Sequence, residues 1–250
     1  MAAPKPTIVL VPGAWHVPAS FDLILPFLHA AGYPTTAVSL PSVGVSPAVK
    51  GFSPDVAAVR TVVNGLAELG RETVVVSHSY GGVATTEAVQ GLSREERKSK
   101  GLPGGVVKLV YIAAILAKAG MDTMESILET PGQDEIPPPS AEDHGDGTTS
   151  ALNGGERFYN DLSPELAKYY VSLLRTQSVA VNFSRLTYEG YRHIPSAYLI
   201  CNRDQALAPR VQRRMVKDAE IGFVKDIDAS HSPFLSQPEV VANFIREAVE

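Results

Sequence analysis

The sequence predicts an α/β fold, built on a mainly parallel, open six-stranded sheet with helices on both faces and one inserted helical cap. Three observations carry this. Short apolar runs rich in β-branched residues recur along the 250 residues, segments of helical period separate them, and the alternation breaks once over a long stretch. The runs fall at residues 8–11, 35–40, 73–76, 106–113, 197–201 and 223–227, each of strand length. Strands alternating with helices imply parallel pairing through right-handed crossovers, and such crossovers put helices on both faces of the sheet.

Taken in order, residues 1–6 hold one lysine, and the apolar run behind them is too short for the apolar region of a signal peptide. Between the second and third runs, Ser53-Pro54-Asp55 reads as a cap residue followed by proline at the first helical position. Val56, Val59, Val63 and Leu66 then mark one helical stripe. The third run leads into a helix expected over residues 83–92. The longest apolar run, residues 109–117, is about half of what a membrane-spanning helix needs. A soluble, cytoplasmic protein is expected. The last helix starts at Pro238 and should bury Val240, Val241, Phe244, Ile245 and Ala248.

The break in the alternation covers residues 118–194, which reads as a cap laid over the strand ends, with residues 1–117 and 195–250 as the core. It shows no strong strand signal. It opens on a loop at residues 131–155 loaded with Pro, Gly, Asp and Ser, and turns helical near residues 164–175. Seven aromatic residues fall within the 34 positions from Phe158 to Tyr191, against 7% for the chain, so they either pack the cap onto the sheet or line a pocket.

Charge and cysteine count narrow the function classes. With 22 Lys+Arg against 27 Asp+Glu the net charge is −5, and no basic run is present to hold a phosphate backbone or an anionic membrane. A small-molecule substrate is the expected partner, with the chain a monomer or homodimer. The one cysteine, Cys201, excludes an intramolecular disulfide and any multi-cysteine metal site. Glu142-Asp143-His144-Gly145-Asp146 imitates metal-ligand spacing but reads as a solvated acidic loop, so no metal is expected. Asn182-Phe183-Ser184 matches a glycosylation acceptor, which carries no meaning without secretion.

The chemistry concentrates at strand ends. The third run continues as Ser77-His78-Ser79-Tyr80-Gly81-Gly82, a strand entering a small-x-Ser-x-Gly turn before a helix. Such a turn reverses so sharply that the residues two before and two after its serine must be small, here Ser77 and Gly81. Ser79 is then the expected nucleophile, at a helix N-terminus that favours developing negative charge, with the Tyr80 backbone N–H as one oxyanion donor. Gly13 in the loop after the first strand permits close backbone approach, which makes the Ala14 N–H the second donor. Asp204 follows the fifth run and His231 the sixth. In that order the three residues supply nucleophile, acid and base at the C-terminal ends of strands. His231 takes the serine proton, and Asp204 fixes its tautomer. Gly13, Trp15, His16, Ser232 and Tyr159 are the further residues expected beside the substrate. His78 is expected to point into the structure and is given no role.

The set Pro12-Gly13-Ala14, Ser77-His78-Ser79-Tyr80-Gly81-Gly82, Arg203-Asp204 and Ser230-His231-Ser232-Pro233-Phe234 resembles the α/β-hydrolase superfamily. It is most similar to the small six-stranded branch that includes plant methyl-ester esterases and hydroxynitrile lyases. The likeness covers about residues 7–117 and 195–250. It implies an α/β-hydrolase fold and a cofactor-free hydrolase using the residues just named. Members usually carry His-Gly where this chain has Pro12-Gly13, so the loop-fixing role of that histidine must be met otherwise. The lyases carry threonine at the position of Gly13 and lysine at that of Ser232, which favours the esterase side.

The leading expectation is a serine esterase or lactonase cleaving a small hydrophobic or aromatic ester or lactone through an acyl-enzyme. The alternative is the same three residues without hydrolysis, in C–C bond cleavage or in cyclisation or dehydration within a secondary-metabolite pathway. A third reading is a non-catalytic receptor for a small ligand on the same fold.

Overall fold

A computed structural model of the chain describes residues 4–129 and 141–250. The described strands are β1 Thr7–Val11, β2 Thr35–Ala37, β3 Glu72–His78, β4 Gly105–Ile112, β5 Ala141–Asp143, β6 Thr148–Ala151, β7 Gln177–Ser178, β8 Ser196–Cys201 and β9 Phe223–Ile227. Six of them form one sheet in the order β2-β1-β3-β4-β8-β9. Every neighbouring pair in it is parallel.

The period of two residues in a strand divides the core. Val9, Val11 and Val75 face one side, where they meet Val59 and Val63 of helix Ser53–Glu68, Val83 of helix Gly81–Ala88 and Met215 of helix Pro209–Asp218. Ile8, Leu10, Val74 and Val76 face the other side, with Leu28 of helix Leu25–Ala30 and Phe244 and Ile245 of helix Pro238–Val249. The sheet is therefore buried on both faces, as its continuous apolar runs require. Strand order reverses at β1, and the β1–β3 register sets Val11 against Ser77. The loops leaving these two strands thus emerge side by side, in the crevice where open α/β sheets hold ligands.

All six expected strands are present, and several local expectations need correction. The second strand ends at Ala37 rather than at residue 40. Ser53 is the first residue of its helix, Phe52 holds the cap position without a side-chain bond, and the buried stripe is Asp55, Val59, Val63 and Ala67. The helix after β3 ends at Ala88, not at residue 92. Val240 is exposed, and Ala242 takes its place on the buried face of the last helix.

The chain between β4 and β8 is not purely helical. It does carry helices at Thr123–Leu128, Gly154–Phe158 and Pro164–Leu173. It also carries the antiparallel sheet β5-β6-β7. These strands are two to four residues long and composed mostly of Thr, Ser, Gln and acidic residues, so no apolar alternation announces them. Of the loop expected at residues 131–155, positions 131–140 lie outside the described residues. Among the described residues no helix is long and apolar enough to cross a membrane, and no group of three or more His, Cys, Asp or Glu side chains is arranged to hold a metal ion.

Candidate active site

Ser79 sits between β3 and helix Gly81–Ala88 with φ +51°, a left-handed conformation that a side chain with a Cβ rarely adopts. The turn is tight. A Cβ on Gly81 would lie 2.5 Å from the Pro12 carbonyl oxygen and 2.7 Å from that of Val11, and one on Gly13 would lie 2.8 Å from the Ser79 Cβ. Ser77, the small residue on the other side, is fully buried and donates its hydroxyl to Thr85 Oγ1 at 2.7 Å. The Ser79 backbone is pinned at both ends, its N–H donating to the Ile112 carbonyl at 3.3 Å and its carbonyl accepting from the Ile115 N–H at 3.0 Å. Among the described residues, the backbone N–H groups of Ala14 and Tyr80 have no hydrogen-bond acceptor.

Asp204 and His231 follow β8 and β9 at the same end of the sheet. His231 Nδ1 lies 2.7 Å from Asp204 Oδ2, and both residues are buried. Because a carboxylate accepts, Nδ1 is the donor in this bond, the tautomer that in a neutral ring leaves the lone pair on Nε2. Asp204 Oδ1 accepts from the backbone N–H groups of Ala206 and Leu207 at 2.7 and 2.8 Å, which fixes the plane of the carboxylate. Ser79, Ala14, Tyr80 and His231 line one cleft of about 620 Å³, its mouth included.

The sequence profile described as the alpha/beta hydrolase family matches residues 8–244. The chain belongs to that family. Curated relatives agree over nearly full length. An alpha/beta hydrolase, nvfD, from Aspergillus novofumigatus is 36% identical, the match covering 98% of this chain and 96% of that protein. A pyrethroid hydrolase from Sphingobium wenxiniae is 27% identical over 96% of this chain and 86% of its own. Among solved structures, a polyneuridine aldehyde esterase mutant superposes with TM-score 0.79 at 18% identity, covering 98% of this chain and 99% of the other. The hydrolase therefore has the α/β-hydrolase fold, and esterases are among the proteins it is similar to.

In this hydrolase the cleft walls are mostly apolar: Trp15, Ile115, Met124, Ile127, Phe158 and Leu207. Of the further residues expected beside the substrate, Trp15 lines the cleft, whereas Gly13, His16, Tyr159 and Ser232 do not. Gly13 packs against Ser79 from behind. His16 and Tyr159 are buried against each other, with the Tyr159 hydroxyl 3.0 Å from His16 Nε2 and His16 Nδ1 2.7 Å from the Ala14 carbonyl. The carbonyl fixes the proton on Nδ1, so Nε2 accepts from the phenol. The Ser232 hydroxyl is buried with no partner among the described residues.

His78, given no role by the sequence, packs against His231. Its Nε2–H donates to the His231 carbonyl at 3.0 Å and its ring centroid is 4.5 Å from that of His231. Burial lowers His16 from 6.5 to about 4. Burial also holds His78 well below the usual imidazole range, helped by the neighbouring His231 and His16 rings. Both are neutral near pH 7, so neither adds a cation beside His231.

Sequence reasoning missed the residues that hold the loops carrying Asp204 and His231. Gln212, fully buried in helix Pro209–Asp218, donates to Asp204 Oδ2 at 2.9 Å and to the Leu207 carbonyl at 2.7 Å while accepting from the Cys201 N–H at 3.0 Å. Asp161 accepts from the Ser230 N–H at 2.8 Å, and the Phe158 carbonyl accepts from the Ser230 hydroxyl at 3.0 Å. Asn160 donates to the Arg203 carbonyl at 3.1 Å. A signal was available for Gln212, a polar residue on the buried stripe that Val211, Met215 and Val216 define.

Proposed function

We propose that the hydrolase is a serine esterase or lactonase acting on a small hydrophobic or aromatic ester, with residues 118–194 as its cap. The observation that carries this reading is the Asp204–His231 bond of 2.7 Å behind an imidazole that shares one cleft with Ser79. In the proposed reaction the Ser79 oxygen adds to the ester carbonyl carbon as His231 Nε2 takes its proton. The carbonyl electron pair moves onto oxygen, where the Ala14 and Tyr80 N–H groups receive it. Collapse expels the alcohol, which takes the proton from His231. Water then adds to the acyl-serine by the same route and releases the acid. Asp204 stays ionised throughout and stabilises the imidazolium.

The mostly apolar cleft supports a hydrophobic substrate, since a polar substituent set against Trp15, Ile115, Met124, Ile127, Phe158 or Leu207 would lose its partners; Thr123, Arg157 and Asn182 are the polar side chains that line the cleft beside Ser79 and His231. The similarity to a pyrethroid hydrolase and to a polyneuridine aldehyde esterase points the same way. The test is a panel of p-nitrophenyl esters of graded chain length together with aryl lactones, assayed with wild type and Ser79→Ala. Turnover should fall roughly a thousandfold or more in the variant, about 4 kcal/mol of barrier, and a fluorophosphonate should label Ser79 alone. A Ser79→Ala enzyme of full activity would remove the reading and favour non-hydrolytic use of the site.

A further inference from the structure

Two donors of the proposed oxyanion hole each adjoin a residue in strained backbone. Ala14 precedes Trp15, with φ +62°, and Tyr80 follows Ser79, with φ +51°. A side chain in the left-handed region costs about 1–2 kcal/mol, so such a residue persists only where its surroundings over-determine it. Pro12 has no N–H and no side-chain polar group with which to fix the first of these turns.

A buried chain of hydrogen bonds reaches both turns. The Trp15 N–H donates to Gln177 Oε1 at 3.1 Å, Gln177 Nε2 donates to Ser42 Oγ at 2.7 Å, and Ser42 Oγ donates to Asp55 Oδ2 at 2.5 Å. From the other side the Tyr80 phenol donates to the same Asp55 oxygen at 2.7 Å, while the Ser42 N–H donates to Asp55 Oδ1 at 2.8 Å. Asp55, Ser42, Gln177 and the Tyr80 side chain are all buried. Each donor in the series points toward Asp55, so an ionised carboxylate is the one acceptor that satisfies every bond in this direction. Burial pushes the Asp55 carboxyl above its usual range while the Ser42 and Tyr80 bonds pull it back, and burial beside Asp55 keeps the Tyr80 phenol protonated as a donor.

We propose that Asp55 is the hub of a positioning device that fixes both backbone donors of the oxyanion hole. One arm holds Tyr80 by its phenol; the other holds the Ala14-Trp15 turn through Ser42 and Gln177. Gln177 occupies the Trp15 N–H, which leaves the Ala14 N–H as the amide of that turn available to a substrate oxygen. The inference rests on the serine-ester reading, because it is the oxyanion of that reaction that the two amides receive. Asp55, Ser42 and Gln177 touch no reacting atom and act through the backbone they hold.

The test compares wild type with Tyr80→Phe and Gln177→Met, each of which removes one arm while keeping side-chain volume, and with Asp55→Asn. Fluorophosphonate labelling at Ser79 counts the competent sites, and thermal melting checks the fold. The readouts are kcat, KM for the p-nitrophenyl ester turned over fastest, and affinity for an aryl trifluoromethyl ketone, whose serine adduct places an oxyanion between the two amides. Displacing a donor by a fraction of an ångström should lower kcat per labelled site roughly tenfold to a hundredfold, with KM within about threefold. Ketone affinity should weaken by the same factor as kcat. Variants that keep wild-type kcat, lose kcat and KM in proportion, or lose kcat with ketone affinity unchanged overturn the proposal. Asp55→Asn is read only through labelled sites, and the two single-arm variants decide the matter if it does not fold. A wild-type enzyme with no label on Ser79 overturns the serine-ester reading and this inference with it, whereas a labelled wild type with unaffected variants overturns the inference alone.

Discussion

The two sides of the cleft are held in different ways. At the Ser79 turn itself the constraint is steric: backbone oxygens crowd Gly81 to 2.5 and 2.7 Å of where a Cβ would stand, and a Cβ on Gly13 would meet that of Ser79, while the Asp55 chain reaches this side through the Trp15 N–H and the Tyr80 phenol. On the Asp204–His231 side the constraint is polar: Gln212, Asp161, Asn160 and His78 each bond Asp204 or the loops that carry Asp204 and His231. A contact set by hard-sphere overlap tolerates no added atom, because packed interiors have no slack. A hydrogen-bonded arrangement tolerates substitution in proportion to what is left unsatisfied. The difference teaches where each kind of perturbation should act.

The largest effect should come from the steric side. Gly81→Ala places a methyl against two main-chain oxygens that cannot rotate away, so a loss of about 3 kcal/mol or more is expected, with turnover abolished. Urea unfolding of the purified variant measures it, and a near-native midpoint would show the turn to be looser than its geometry says. Next is acid. His16 has a folded value of about 4 against 6.5 when free, so between these pH values the unfolded chain binds a proton the native chain refuses. Stability is therefore full above pH 6.5 and should fall as pH drops toward 4, by on the order of 3 kcal/mol from His16. His78, lowered by the same cause, acts in the same direction. Urea midpoints measured across this range test the slope, and His16→Gln should flatten it.

On the polar side, Gln212→Leu leaves Asp204 Oδ2 with one donor fewer and the Cys201 N–H without an acceptor. A cost of about 1–3 kcal/mol in stability follows, with kcat lowered roughly tenfold as Asp204 loses its orientation. Equal kcat in wild type and variant would mean that Ala206 and Leu207 alone align the carboxylate. The smallest change belongs to Asp161→Asn, which keeps an oxygen acceptor for the Ser230 N–H and should cost about 1 kcal/mol or less. Asp161→Ala, lacking that oxygen, should do more harm to kcat than the Asn variant.

This contrast also explains what was legible in the sequence. Steric demands are written in residue type at fixed offsets, so Ser77, Ser79 and Gly81 stand out, and buried parallel strands announce themselves as valine-rich runs. The polar supports are written mostly in space. Asp55 and Gln212 do leave a trace, since each occupies a position on an otherwise apolar helical stripe, 55-59-63-67 in one case and 211-212-215-216 in the other. A charged or amide side chain there must find partners or destabilise the core. Gln177 leaves none: it sits on a two-residue strand in a polar segment, 135 positions from the serine whose hydroxyl it binds. The cleft-facing roles expected for His16 and Tyr159 failed to appear because each satisfies the other inside the protein instead.

Trp15 is gripped at its N–H by Gln177, at its carbonyl by the Arg175 N–H and at its indole by Thr149, all three supplied by the stretch between β4 and β8. That stretch is also the natural module to exchange when new substrate preferences are sought, because it contributes Met124, Ile127 and Phe158 to the cleft. A chimaera that imports a foreign insertion would therefore change selectivity and unfasten the loop carrying Ala14 in one operation. Transplants should carry Thr149, Arg175 and Gln177 across the seam, and grafts that omit them should look like failed recognition while in truth having lost their grip on the backbone.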